Sequence, residues 1–256
     1  MLPIRLSLSL PAASLLLCAS LTSHADGLAD LKGALARLQG QAPVSGALEV
    51  KSWRKTGDGK DAQEKQGQAN FNIEESARGL QVLYGKELLA RADAEDRAKS
   101  KDKKAKTPTL YALGEVGNRE LRNMTTAAAA LSRELEDAVF KTEAADSYNG
   151  KPARKLSFEM PLEKLSEEAR KYVRKFDTTL DIWIANDGTP LASSLHVNAS
   201  GRAFVVISFE QRSDEERRYA VVGDRLVLLR KDEKGSSSGA GEKQEYKTTT
   251  TLQLAS

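Results

Sequence analysis

Between residues 176 and 230 apolar and polar side chains alternate at a period of two, and turn-forming residues break the alternation about every ten to twelve positions. Phe176, Leu180, Ile182 and Ile184 share one side of an extended chain, and Trp183 lies on the other among Asp177, Thr179 and Asp181. Breaks are expected at Asn186-Asp187-Gly188-Thr189, Ala199-Ser200-Gly201-Arg202, Ser213-Asp214-Glu215-Glu216 and Val222-Gly223-Asp224-Arg225. Asp-Gly and Gly-Asp supply the positive φ angles that tight hairpin turns need. A run of this kind folds as a meander of antiparallel strands with one apolar face, and that face demands a second layer.

The same period brackets the meander on both sides. Val44, Leu48 and Val50 alternate with Glu49 and Lys51, with Trp53 on the opposite face; Ala69, Phe71 and Ile73 alternate with Asn70, Asn72 and Glu74; a third strand follows over residues 79–84. Residues 140–148 and 151–160 form a hairpin across Asn149 and Gly150, the strongest short-range hairpin signal. The last strand spans residues 246–254, after a Gly/Ser-rich segment, 234–242, expected as a flexible hairpin tip.

Helical spacing appears in four places. Leu28, Leu31, Leu35 and Leu38 form one stripe, with Asp26 as N-cap. Residues 85–138 read as a helical insertion. Its first half is dense in Ala, Lys, Arg, Asp and Glu; its second starts at Thr107-Pro108 and continues as one long helix through Leu110, Leu113, Leu121, Met124, Leu131 and Leu135, with Gly114 and Gly117 weakening its start. Pro161 opens a short helix with Leu162, Leu165, Ala169 and Tyr172 on one face. The fold class is therefore α+β: one large curved antiparallel sheet, an open half-barrel, whose concave face is covered by the N-terminal helix and the helical insertion.

Arg5, an apolar run from Leu6 to Ala19 and the small residues of Ser23-His24-Ala25 read as a signal peptide over residues 1–25, followed by a single domain over residues 26–256. The expected product is exported, periplasmic in location. Lipid anchoring at Cys18 is disfavoured because Leu17, not a small residue, precedes it. Cys18 is the one cysteine in the sequence. A chain that loses it with the signal has neither disulfides nor thiolate chemistry nor Cys-zinc sites, and must be held by its own core. With Arg5 gone, the basic count falls from 39 to 38 against 36 acidic residues, a net charge of about +2. No whole-molecule footprint for nucleic acid exists.

Motifs for catalysis are weak. Gly235-Ser236-Ser237-Ser238-Gly239 matches the hydrolase elbow formally, but it lies in low-complexity sequence and no histidine follows. His196 is the one histidine beyond residue 25, without local partners. Glu167-Glu168 and Glu215-Glu216 sit in polar contexts, where general acid work finds no desolvated carboxyl. No metal site and no cofactor are expected. Arg97, Lys99, Lys101, Lys103, Lys104 and Lys106 form a basic run that would suit an anionic membrane surface or an acidic partner. An apolar groove is the alternative binding site, lined by Phe71, Ile73, Leu80, Val82, Leu156, Phe158, Leu180, Ile182, Ile184, Leu195, Phe204 and Val206. The same residues would equally make a dry core.

The order of elements resembles a family. Gln68-Ala69-Asn70-Phe71-Asn72-Ile73, Arg78-Gly79-Leu80-Gln81-Val82-Leu83-Tyr84, Tyr148-Asn149-Gly150-Lys151-Pro152 and the run from Leu180 through Asp187-Gly188-Thr189-Pro190 are similar in sequence order to the LolA/LolB-type periplasmic lipoprotein carriers. The likeness is one of topology over nearly the whole mature chain, without a shared diagnostic motif, and the charged insertion is longer than the family pattern. It implies a half-barrel whose helix-lidded concave face holds acyl chains, and a non-enzymatic protein that binds a lipid or acylated protein. The alternative is an envelope interaction or sensor module with a dry core and the basic run as its contact surface.

Overall fold

Ten strands form one antiparallel sheet in the computed structural model, which describes residues 26–203 and 207–255. In chain order they are β1 Val44–Thr56, β2 Gln63–Ser76, β3 Gly79–Leu83, β4 Val139–Tyr148, β5 Lys151–Glu159, β6 Val173–Ile184, β7 Pro190–Ala203, β8 Ile207–Val222, β9 Arg225–Gly239 and β10 Glu242–Leu254. Their spatial order is β3-β2-β1-β10-β9-β8-β7-β6-β5-β4. Two meanders are thus joined where the first strand pairs with the last, with Leu48 opposite Leu252. β3 and β4 remain as edges, and the sheet is an open half-barrel.

The helices are α1 Gly27–Arg37, α2 Lys86–Lys101, α3 Pro108–Gly114, α4 Asn118–Thr125, α5 Ala127–Glu136 and α6 Glu167–Tyr172. Helices α2 to α5 lie between β3 and β4 in the chain, so they carry the backbone from one edge of the sheet to the other. A connection of that kind has to cross a face of the sheet, and here it crosses the concave, apolar one. The cover is a consequence of topology.

Sidedness follows from the pleat. In β1, Val44, Leu48 and Val50 are buried while Ser45, Ala47 and Lys51 point outward. Across the ladder Leu48 is flanked by Phe71 and Leu252, which are also buried. Helix α1 closes one end of this floor. The Asp26 carboxylate accepts the amides of Leu28 and Ala29 at 3.1 and 3.3 Å, satisfying donors that the first turn leaves free. Leu31, Ala34 and Leu35 then enter the core. The helix is tied to the sheet by Arg154 on β5, whose guanidinium reaches Asp30 at 2.7 Å, and by Glu143 on β4, which accepts the Gly27 amide at 3.1 Å. It passes so close to the β6–β7 turn that a Cβ on Gly188, where φ is +83°, would meet the Asp30 carbonyl oxygen at 2.2 Å.

Helix α3 lies on β2 with similar intimacy. A Cβ on Gly67 would come within 2.3 Å of the Pro108 carbonyl oxygen. Glu95 on α2 accepts the Thr109 and Leu110 amides at 3.0 and 2.9 Å, so the first turn of α3 is capped from a neighbouring helix. Helix α2 itself buries only Leu88.

Several sequence expectations are corrected here. The polar stretch Ser213-Asp214-Glu215-Glu216 is not a turn: β8 runs straight through it, with Asp214 paired to His196 and Lys234 on the neighbouring strands and Glu215 to Lys231. Likewise Ala199-Ser200-Gly201-Arg202 is part of β7. The Gly/Ser segment is not a long tip. Ser236, Ser237 and Ser238 pair with both β8 and β10, and the turn is reduced to Ala240 and Gly241, at φ 54° and 83°. The single long helix is three: it stops at Gly114, and again at Thr126, whose φ of −126° and ψ of 50° are not helical. The helix after Pro161 is a short turn, Leu162–Lys164, followed by α6, which buries none of its residues. Among the described residues no helix is long and apolar enough to cross a membrane. The signal segment and Cys18 lie outside the described residues.

Candidate functional site

The anticipated groove residues come together, but as a packed interior. Phe71, Ile73, Leu156, Phe158, Leu180, Ile182 and Ile184 are 0 to 5 % exposed and belong to one cluster with Leu121, Met124, Ala128 and Leu131 of the helices. Leu80, Val82 and Leu195 are half-buried and pack against it. Phe204 and Val206 lie outside the described residues. Trp183 faces the other way, with Nε1 donating to Asp146 Oδ2 at 2.8 Å, a bond that holds the Asp146 carboxyl below its ordinary range.

Open volume lies elsewhere on the concave face, over β8, β9 and β10. One cavity of about 370 Å³ is walled by Leu131, Glu134, Arg217, Tyr219, Leu228 and Lys231. A second of about 240 Å³ is walled by Arg54, Glu115, Lys231, Glu233, Tyr246 and Thr250. Glu120 and Lys231 line both, and their ion pair at 2.8 Å stands between the two.

Hairpin geometry puts the charges there. Arg217 on β8 is opposite Lys231 on β9, and Glu215 is opposite Glu233, so four ionised groups share one patch of the inner face. The helices supply the remaining partners. Glu134 of α5 receives a two-pronged contact from Arg217, with Nη1 to Oε2 at 2.5 Å and Nη2 to Oε1 at 3.2 Å. Arg217 also pairs with Glu215. Lys231 reaches Glu233 at 3.2 Å and Glu215 at 3.9 Å besides Glu120 of α4. Glu115, at the end of α3, pairs with Arg54 of β1 at 3.2 Å. In the pairs Glu115–Arg54, Glu120–Lys231 and Glu134–Arg217 the acid lies on the helical cover and the base on the sheet.

Burial would push Lys231 down, but Glu215 and Glu120 outweigh it and raise its pKa, keeping the ammonium charged. Arg217 is likewise raised: burial opposes, and Tyr219, Glu134 and Glu215 prevail. Tyr219 is raised by its own burial, and it shares a 2.8 Å hydrogen bond with Ser193. Burial and the adjacent Glu233 carboxylate, which accepts the Tyr246 hydroxyl at 3.1 Å, push Tyr246 up to about 12. These tyrosines are neutral donors rather than bases at neutral pH.

Of this patch the sequence singled out only Glu215, as a solvated carboxylate at a turn; it lies instead on the inner face of β8 with its side chain 16 % exposed. Counting back from the turn at Gly223 and Asp224 sets Arg217 opposite Arg230; a bulge between Arg218 and Tyr219 shifts the ladder by one residue and brings Lys231 there instead, a shift the sequence does not signal. His196, read as partnerless, has a cross-strand partner: Nδ1 lies 2.6 Å from Asp214 Oδ1 on the outer face, and this contact holds the Asp214 carboxyl below its ordinary range. Ser236 lies on a strand paired on both sides, far from an elbow geometry. Among the described residues no three His, Cys, Asp or Glu side chains gather as a metal site would require. The basic run occupies the end of α2 and the turn after it, and none of its cations is in an ion pair among the described residues.

Comparison with protein-family models, with curated proteins and with solved structures finds no match for this chain.

Proposed function

We propose that this is an exported, non-enzymatic binding protein of the cell envelope, located in the periplasm. Its ligand is an acyl chain carried by a lipid or lipoprotein, taken up between the concave sheet face and helices α3 to α5. The observation that carries the reading is the fastening of those helices over an apolar floor by acid-on-helix, base-on-sheet ion pairs. Such contacts exchange for water without disturbing the strands. In the conformation described, the cover is down and the floor is filled, so uptake requires α3 to α5 to lift. Each methylene then buried contributes about 0.8 kcal/mol. The likeness in element order to LolA/LolB-type carriers supports the same reading, and lipoprotein sorting is the process such a carrier would serve.

Native mass spectrometry of the protein purified from its own envelope fraction, paired with displacement of a fluorescent fatty acid, tests this. A lipid-sized adduct and saturable displacement are expected. Protein recovered bare, with no displacement, removes the carrier reading.

A second reading rests on the packed interior and the basic run at the end of α2, which forms no ion pair among the described residues: an envelope interaction module that meets an anionic membrane or an acidic partner through that run. Deleting residues 99–106 would then abolish binding to anionic vesicles or partner pull-down while leaving fatty-acid displacement unchanged.

A further inference from the structure

The smaller cavity, between α3, α4 and strands β1, β9 and β10, contains polar atoms that the protein leaves without partners. Thr250 is 1 % exposed, lines this cavity, and its Oγ1 has no hydrogen-bond partner in the protein. Ser52, 5 % exposed, has a partnerless Oγ and lies on the same face, opposite the lining residue Thr248. Nε of Arg54, another wall residue, is buried and partnerless, although its Nη2 is held by Glu115. Leaving a buried polar atom unpaired costs about 1–3 kcal/mol, so a cluster of them calls for an occupant that hydrogen-bonds.

The chemistry of the walls defines that occupant. Cations Arg54 and Lys231 are matched by carboxylates Glu115, Glu120 and Glu233, so the site carries one net negative charge and has no cation to spare for an anion. What the walls leave unsatisfied is the Thr250 hydroxyl, able to donate and accept, and the Nε–H of Arg54, whose charge Glu115 already balances. Gln244 adds an amide with both functions, and Tyr246 offers a ring beside the polar groups. A molecule whose groups each donate and accept, and which bears no charge, matches this set.

We propose that this cavity binds a neutral polyhydroxylated group, a sugar or polyol, with Thr250, Gln244 and Arg54 hydrogen-bonding its hydroxyls. The site does not depend on the acyl-chain reading. The same chemistry could arrive as a free molecule or as the headgroup of a lipid, and the test separates the two.

Saturation-transfer NMR on the purified mature chain is run with glucose, glycerol, octyl glucoside below its micelle concentration, and glucuronate as the anionic counterpart. Transfer to the neutral compounds and not to glucuronate is expected. Thr250→Val, similar in shape but without the hydroxyl, should weaken binding at least about fivefold. Gln244→Ala, on the cavity rim, should weaken it independently of any effect Thr250→Val has on folding, which circular dichroism reports. Binding by the free compounds identifies a free ligand; binding by octyl glucoside alone, still lost in both variants, identifies a headgroup. No transfer from any neutral compound, which is the result for a cavity holding water only, overturns the proposal. So does transfer to glucuronate of equal strength, or affinity unchanged in both variants.

Discussion

Arg217→Met tests whether the helical cover is fastened electrostatically. The Arg217 side chain is 17 % exposed and its partners Glu134 and Glu215 are each 16 % exposed, so all three ions are largely withdrawn from water. Methionine fills much of the same space, but it leaves the Glu134 carboxylate facing a wall without its counter-ion. Glu215 keeps only the Lys231 contact at 3.9 Å. Removing one partner of a buried pair costs about 3–5 kcal/mol; residual solvent access lowers that to about 2–4 kcal/mol here. For a domain of this size the melting temperature should fall by roughly 6–12 °C. Urea unfolding gives the free energy, with the m-value checking that both states remain comparable. Glu134→Gln should restore part of the loss when combined with Arg217→Met, because no charge is then stranded on α5. The double-mutant coupling energy should be about 1.5–3 kcal/mol, the range of a hydrogen bond to a charged group. A single variant within about 0.5 kcal/mol of wild type, or a coupling energy near zero, would refute the fastening.

Three further outcomes are expected. Tyr246 ionises at about 12 in the folded chain against an ordinary 10.0. Its stabilising contribution is therefore complete below pH 10 and is lost as pH rises towards 12, by about 1–2 kcal/mol in all because the hydroxyl keeps access to solvent that screens the interaction. Wild type should lose urea resistance over that window more steeply than Tyr246→Phe; equal slopes would count against the Glu233 environment. Gly188→Ala forces a side chain into a positive φ and against the Asp30 carbonyl, so a loss of at least about 2 kcal/mol is expected in thermal unfolding. Ala240→Gly relieves a non-glycine residue at φ 54° and should stabilise by up to about 1 kcal/mol; a loss of stability would mean the strain is not there.

What was legible in the sequence is what a one-sided sheet imposes locally. Period two is set by the pleat, so the faces of β1, β2 and β6 follow from a few residues of context, as does the Asn149–Gly150 turn, where Asn149 has φ of 51°. Partners distant in the chain leave no such trace. Glu215, Arg217, Lys231 and Glu233 place charge on the apolar phase of the pattern, and a charged run without visible counter-ions reads as a turn. Glu120 and Glu134, which pair with Lys231 and Arg217, are contributed by helices encoded between the two edge strands. The Gly/Ser segment misleads for a related reason: pairing on both sides from β8 and β10 outweighs a weak intrinsic preference for the strand. Whether an apolar face is filled or open is likewise invisible, because both arrangements demand the same alternation.

The junction of β1 with β10 has a consequence for how the molecule is made. For a chain completed from its N-terminus, strands β1 to β3 and β4 to β9 can each assemble from near neighbours, but they remain two separate sheets. The strand that unites them is the last to emerge, and it bonds to β1 along one side and β9 along the other. Such a contact between strands about 200 residues apart is slow to form. Until then both inner edges, β1 and β9, present unpaired backbone. A truncation removing β10 should therefore yield two aggregation-prone fragments of sheet, whereas loss of the edge strand β3 should leave the rest standing.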